Sequence, residues 1–339
     1  MRRVLRMILL ALGLVAVLTG CHERKEESPR EEISVVTTIF PLYDWARQII
    51  GNTEGLRLTL LQDKGTDLHN YQPTAADIVA ITTCDLLIHV GGHSDSWLET
   101  VLTQAEQEGP VVVSLLQVLG DQVKEEELVE GMEHHEASHP SHHDGHSPHE
   151  RHQHTHHTLD EHIWLSLRHA QTCVAHIQRQ LCLVDGRNQE SYTENGTRYI
   201  AQLQELDEDY RAMISAVTLK PLLFADRFPF RYLVDDYGLS YYAAFSGCSA
   251  ESEASFQTIA FLAEKTRQHQ LNVLLTTEHP GHRLAQAVIE AAGEGGREIL
   301  SMDSMQSVTL ENLDDGATYL SIMRKNLEVL ERAMQGGSE

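Results

Sequence analysis

The sequence predicts an α/β protein of two lobes, each built on a parallel sheet, joined by one long helix. Three observations carry that prediction. Short β-branched runs alternate with helical patterns over residues 33–114, and the same alternation returns after residue 218. Between the two series, residues 189–217 run almost without a helix breaker. Strands alternating with helices close into right-handed βαβ units and a parallel sheet. Two such lobes leave a cleft where their strand ends face each other, and open α/β sheets bind ligands there. The implied boundaries are 33–187 for the first lobe, 188–218 for the linking helix and 219–339 for the second lobe.

Residues 33–40 (ISVVTTIF) are continuous and β-branched, as a strand buried on both faces must be. Pro41 opens a helical pattern over 42–50 that Gly51-Asn52 stops. A second strand over 56–62 leads into the polar loop Asp63-Lys64-Gly65-Thr66-Asp67-Leu68-His69-Asn70-Tyr71-Gln72-Pro73 and a helix over 74–83. A third strand, 85–90 (DLLIHV), ends in Gly91-Gly92; an amphipathic helix over 96–108 and a short strand over 111–114 follow. Helix resumes over 166–183. In the linking segment Tyr199, Leu203, Leu206, Tyr210, Met213, Ile214 and Val217 recur at spacings of three and four, which predicts one helix. It should be roughly 40 Å long at ~1.5 Å per residue. The second series reads strand 222–224, helix 229–237, strand 240–245, helix 255–269, strand 273–276, helix 284–292, strand 299–302 and a closing helix over 319–334.

The first 21 residues stand outside this scheme. Arg2, Arg3 and Arg6 precede an apolar run over 8–18 that is too short to span a bilayer, as in a secretory leader. The run ends Leu18-Thr19-Gly20-Cys21, which resembles a bacterial lipobox whose cysteine takes the lipid. Residues 22–32 then read as a charged tether. The expectation is an extracytoplasmic protein held to the bacterial cell membrane through Cys21 alone, since no later run reaches transmembrane length. The formal net charge of −24 argues against nucleic acid as a partner and favours cationic ligands. Cys84, Cys173, Cys182 and Cys248 show no CxxC spacing, which argues against a thiolate zinc site; most of them read as small buried hydrophobes, with a disulfide open outside the cytoplasm whose pairing the sequence does not give.

Eleven of the 21 histidines fall within residues 134–157, among Ser, Pro, Asp and Gly. With no large apolar residue between Met132 and Leu159, the segment 132–158 has nothing with which to build a core and reads as a loop. Such a tract is either a spacer or a metal-collecting surface. Its density, and the Asp160-Glu161-His162-Ile163-Trp164-Leu165 that follows at once, point to a collector leading into an ordered site.

Taken together, lipobox, two lobes, long helix and His-rich loop resemble the solute-binding lipoproteins of zinc and manganese ABC importers, the metal-binding cluster A-I family. The resemblance runs from about Ser34 to the last helix. It rests on Asp67-Leu68-His69-Asn70-Tyr71-Gln72-Pro73-Thr74 with Asp77, on Asp160-Glu161-His162-Ile163-Trp164-Leu165, and on Tyr232-Leu233-Val234-Asp235-Asp236-Tyr237-Gly238-Leu239. It implies a monomer that catalyses nothing, binds a transition-metal ion in the interlobe cleft and passes it to a membrane permease.

The same resemblance implies ligands at His69 and His162. The family's third ligand, His or Glu, falls here on Arg227, which cannot ligate, so the adjacent Asp226 is the candidate. Glu278 matches the fourth, with His279 and His282 as rivals in the same loop. Two carboxylates would make the site oxygen-rich and admit Mn²⁺, whereas the nitrogen-rich tract favours Zn²⁺. His89 and His93 flank Gly91-Gly92, and His169 and His176 share a helix face; none is assigned a role. Two rival functions stand beside this reading. A secreted zinc hydrolase would need a general base beside the metal, and the chain has no HExxH. A surface adhesin on the same fold is the other.

Overall fold

Ile33–Thr37 forms β1 at the middle of a sheet because its side chains can be buried on both faces, and all but Ile33 are. The computed structural model describes residues 32–103, 109–133, 158–249, 253–278, 281–293 and 295–335. The leader with Cys21, the histidines of the tract and His279 lie outside the described residues. β2 (Leu56–Leu60), β3 (Leu86–His89) and β4 (Val111–Ser114) join β1 in a sheet of order β2-β1-β3-β4, every pairing parallel. Its helices are α1 (Phe40–Ile50), with Pro41 in the first turn, α2 (Ala75–Thr83), α3 (Trp97–Thr103) and α4 (Leu115–Leu119).

α5 (Leu167–Val184) leads to the long α6, Gln189–Ala216, within a residue of the expected span. The second sheet holds β5 (Leu222–Phe228), β6 (Tyr241–Ser246), β7 (Val273–Thr276) and β8 (Glu298–Ser301) in the order β6-β5-β7-β8, again all parallel. Around it lie α7 (Arg231–Tyr237), α8 (Phe256–Gln268), α9 (Arg283–Ala292), α10 (Leu310–Asp314) and α11 (Tyr319–Gln335). β5 outruns its predicted end by four residues. A register shift between Phe224 and Arg227 marks a bulge that carries Asp226 and Arg227, whose polar side chains find partners beyond the strand. The helices α4 and α10 were not predicted; five residues are too few for a periodic signal.

The core does not stop at the lobe boundary. α6 buries Tyr192, Tyr199, Leu203, Leu206, Tyr210 and Ile214, and one apolar cluster continues from Val35 and Leu86 of the first sheet to Phe224 and Leu275 of the second. Each such side chain contributes roughly 1.5–3 kcal/mol on burial. Hydrogen bonds fix the docking of α11. The Tyr319 N–H donates to Asp44 Oδ2 of α1 at 2.9 Å, the Tyr319 hydroxyl to the Trp164 carbonyl at 2.6 Å, and the Tyr210 hydroxyl of α6 to the Met323 carbonyl at 2.6 Å. The lobes are therefore joined along the helices, and the strand ends are left to face each other. Among the described residues no helix is long and apolar enough to cross a membrane.

Candidate metal centre

The loop after β2 is held at Asp67. Asp67 caps the single 3-10 turn Leu68–Asn70 by accepting the His69 N–H at 2.9 Å, while buried Leu68 anchors the turn in the core. Downstream, the Tyr71 hydroxyl donates to Asp77 Oδ2 at 2.8 Å, and Thr74 and Asp77 form a reciprocal capping box at the start of α2. The motif around His69 is thus a set of fasteners that present one imidazole at a strand end.

His162 is fully buried, just before the turn Ile163–Leu165. Asp160 Oδ1 accepts both its backbone N–H, at 2.9 Å, and its Nδ1–H, at 2.8 Å. With Nδ1 donating, Nε2 carries a bare lone pair. Buried Glu161 turns away to accept the Ser94 N–H at 3.0 Å, and the Ser94 hydroxyl lies 2.8 Å from Nδ1 of His69. That hydroxyl can accept from Nδ1 and leave the His69 Nε2 bare as well. The loop that brings Ser94 in needs Gly92. Its φ of +84° suits glycine, and a Cβ there would sit 2.5 Å from Glu161 Oε1.

The two Nε2 atoms stand 3.3 Å apart. In a tetrahedral zinc site with Zn–N bonds of 2.0–2.1 Å, neighbouring nitrogens are about 3.3 Å apart. Burial and the nearby His162 hold the pKa of His69 down to about 4. Burial also works against charge on His162, but the charge and hydrogen bond of Asp160, with Glu161 and Glu126, outweigh it and raise that pKa. The 3.3 Å gap between the rings thus lies between one imidazole held neutral and one whose charged form is favoured.

A third group enters from the second lobe. The turn after β6 carries Cys248, and one donor atom from each of His69, His162 and Cys248 lies within 4.8 Å of the other two. No other group of three His, Cys, Asp or Glu side chains converges in this way among the described residues. The Cys248 N–H donates to Glu126 Oε1 at 2.9 Å; burial, then Glu126, Asp160 and Glu161, push the thiol well above its usual pKa. The preceding Gly247 is closely approached, since a Cβ there would lie 2.9 Å from both His162 Cε1 and the Phe228 carbonyl oxygen.

The sequence-predicted carboxylates are bonded elsewhere. Asp226 accepts the Thr277 N–H at 3.0 Å and hydroxyl at 2.7 Å, tying the bulge of β5 to the end of β7. Glu278 accepts the Ser304 N–H at 2.9 Å and hydroxyl at 2.8 Å, closing the loop after β8. Neither belongs to the converging group. His282 starts α9 at a φ of +30° with its Nδ1 buried and without a hydrogen bond. Arg227 reaches across the cleft, its Nη2 donating to Asp67 Oδ2 at 2.8 Å. Cys248 is the residue that sequence reasoning missed. The available signal was its place in a Ser-Gly-Cys-Ser turn directly after a strand, where the other strand-end loops place their histidines.

The family model described as zinc-uptake complex component A, periplasmic (ZnuA) matches residues 35–333. The chain belongs to the ZnuA family. It is 28% identical over 325 residues to the zinc-binding lipoprotein AdcA of Streptococcus pneumoniae, covering 96% of this chain and 60% of that protein. This chain therefore spans less than two thirds of the length of the AdcA relatives it matches. It is also 28% identical over 309 residues to the high-affinity zinc uptake system protein ZnuA of Bacillus subtilis, 91% of this chain and 89% of that one. The crystal structure of the metal-dependent lipoprotein YcdH from Bacillus subtilis superposes with a TM-score of 0.70 at 25% identity, covering 89% of this chain and 99% of that one. These ZnuA relatives extend across both lobes, so the family match includes the loops that carry His69, His162 and Cys248.

Proposed function

We propose that this ZnuA-family chain captures Zn²⁺ outside the cytoplasm and delivers it to the membrane permease of an ABC importer, without catalysing a reaction. The observation that carries this reading is the pair of inward-facing Nε2 atoms of His69 and His162, 3.3 Å apart with both Nδ1 atoms engaged. That separation matches the edge of a zinc tetrahedron, which supports the reading. The relatives' names, zinc-binding lipoprotein and zinc uptake protein, point the same way. Here the ion is cargo. His69 and His162 are the ligands we propose; Asp226 and Glu278, the carboxylates that the family resemblance implies, here accept hydrogen bonds from Thr277 and Ser304.

The leader supports attachment through Cys21 as a lipid-anchored monomer, and the tract at 134–157 supports a role in raising the local zinc concentration. The residues flanking the tract lie close to the site. The Glu126 N–H donates to the Thr158 carbonyl at 2.8 Å, and Glu126 also holds Cys248. Isothermal titration of the wild-type chain should give one tight zinc site above several weak ones. Removing residues 134–157 should abolish the weak ones alone, and His69→Ala/His162→Ala should abolish the tight one. A tight site that survives the double substitution in the tract-free chain rules the reading out.

A further inference from the structure

We propose that Cys248 supplies the third protein ligand to the cation as a thiolate, so that the site is two nitrogens and one sulfur. This rests on the zinc-capture reading and adds a donor that the family's own pattern does not carry at this position. Four observations support it. His162 is wholly buried, and its bare Nε2 lies 3.3 Å from the bare Nε2 of His69, an arrangement that calls for a cation. The three donor atoms lie within 4.8 Å of one another, and tetrahedral Zn–N and Zn–S bonds need N···S separations of about 3.6 Å. Even from that upper bound, a shift of no more than about 1 Å would bring the sulfur to bonding distance.

Of the residues at or beside the family's ligand positions, Arg227, Asp226 and Glu278 are engaged elsewhere. Arg227 is pinned to Asp67, and a guanidinium offers no lone pair. Asp226 and Glu278 hold the loops after β7 and β8. Finally, the turn is shaped for approach. Gly247 has no side chain to push His162 away, Glu126 fixes the Cys248 N–H, and Cys248 is a free thiol.

The chemistry balances simply. As zinc binds, the sulfur donates its electron pair to the metal, the S–H bond breaks, and its proton leaves to Glu126 or to water. The thiolate adds a soft donor that zinc accepts and manganese does not favour, so Cys248 would also set ion choice. A fourth position stays open to water.

X-ray absorption at the zinc edge on the full wild-type chain, loaded with one equivalent of Zn²⁺, tests this directly. The expected first shell contains one sulfur at about 2.3 Å beside nitrogen or oxygen at about 2.0–2.1 Å. Co²⁺ in place of zinc should give a near-ultraviolet sulfur-to-cobalt band that Cys248→Ser lacks while still binding cobalt. Cys248→Ala should lower zinc affinity by on the order of 100-fold and leave Mn²⁺ binding nearly unchanged. A wild-type shell of nitrogen and oxygen alone overturns the assignment but leaves zinc capture standing. A wild-type chain that takes up no zinc overturns both.

Discussion

Asp160 serves one imidazole twice, accepting the backbone N–H and the Nδ1–H of His162 through the same oxygen. The first bond fixes the main chain and the second fixes ring rotation and tautomer. An outer partner of this kind is worth about 10–100-fold in metal affinity. Asp160→Asn should therefore weaken zinc by that factor in a chelator-competition assay, with the far-ultraviolet circular dichroism unchanged. His169 shows the reverse situation, a buried histidine without an acidic partner. Its ring packs on Tyr232 at 5.0 Å, and burial, then Lys124, hold its pKa down to about 4. The unfolded chain takes up that proton first as pH falls, near 6.5. The His169 contribution to stability is present above pH 6.5 and is lost as pH falls toward 4, on the order of 3 kcal/mol across the window. In urea titrations at pH 7 and pH 4.5, His169→Phe should reduce the loss of stability between the two. An equal loss in wild type and variant would remove His169 from the account.

At the scale of the elements, every group in the centre comes from a strand-end loop or from the turn before α5. β2 delivers His69, β3 delivers Ser94 through Gly91-Gly92, and β6 delivers Cys248 through Gly247. Parallel sheets place all their carboxyl ends on one edge, so loops distant in sequence meet there. Gly92 is the tightest of these joints. Gly92→Ala should cost about 1–3 kcal/mol in thermal or urea unfolding, because it strains a left-handed backbone and drives a Cβ into Glu161. It should also weaken zinc binding, since Glu161 places Ser94 against His69. Unfolding at the wild-type midpoint with wild-type zinc affinity would show the loop relaxing freely.

Across the whole molecule, Arg227 and Asp67 join the lobes on the cleft side, with side chains only 13% and 10% exposed. Asp67 at the same time holds the His69 N–H, so the pair links lobe docking to the position of a proposed ligand. Arg227→Met should destabilise the chain by about 2–3 kcal/mol, less than the 3–5 kcal/mol for a wholly buried pair, and should weaken zinc through Asp67. A loss of stability without a change in zinc affinity would reduce the pair to a fastener between lobes.

The sequence by itself determined the two α/β series, the long helix and the histidine loops, because each is a local pattern. Strand alternation, a run free of breakers and the capping chemistry around His69 and His162 are written within a few turns of chain. Only the tertiary structure decided what stands opposite those histidines. Asp226, Glu278 and Cys248 all occupy plausible strand-end positions in the sequence. Folding gives the two carboxylates to Thr277 and Ser304, and swings the cysteine turn, passing through Gly247, up to His162. Which donor reaches a cleft depends on hydrogen bonds made between residues far apart in the chain, and no window of sequence contains both partners.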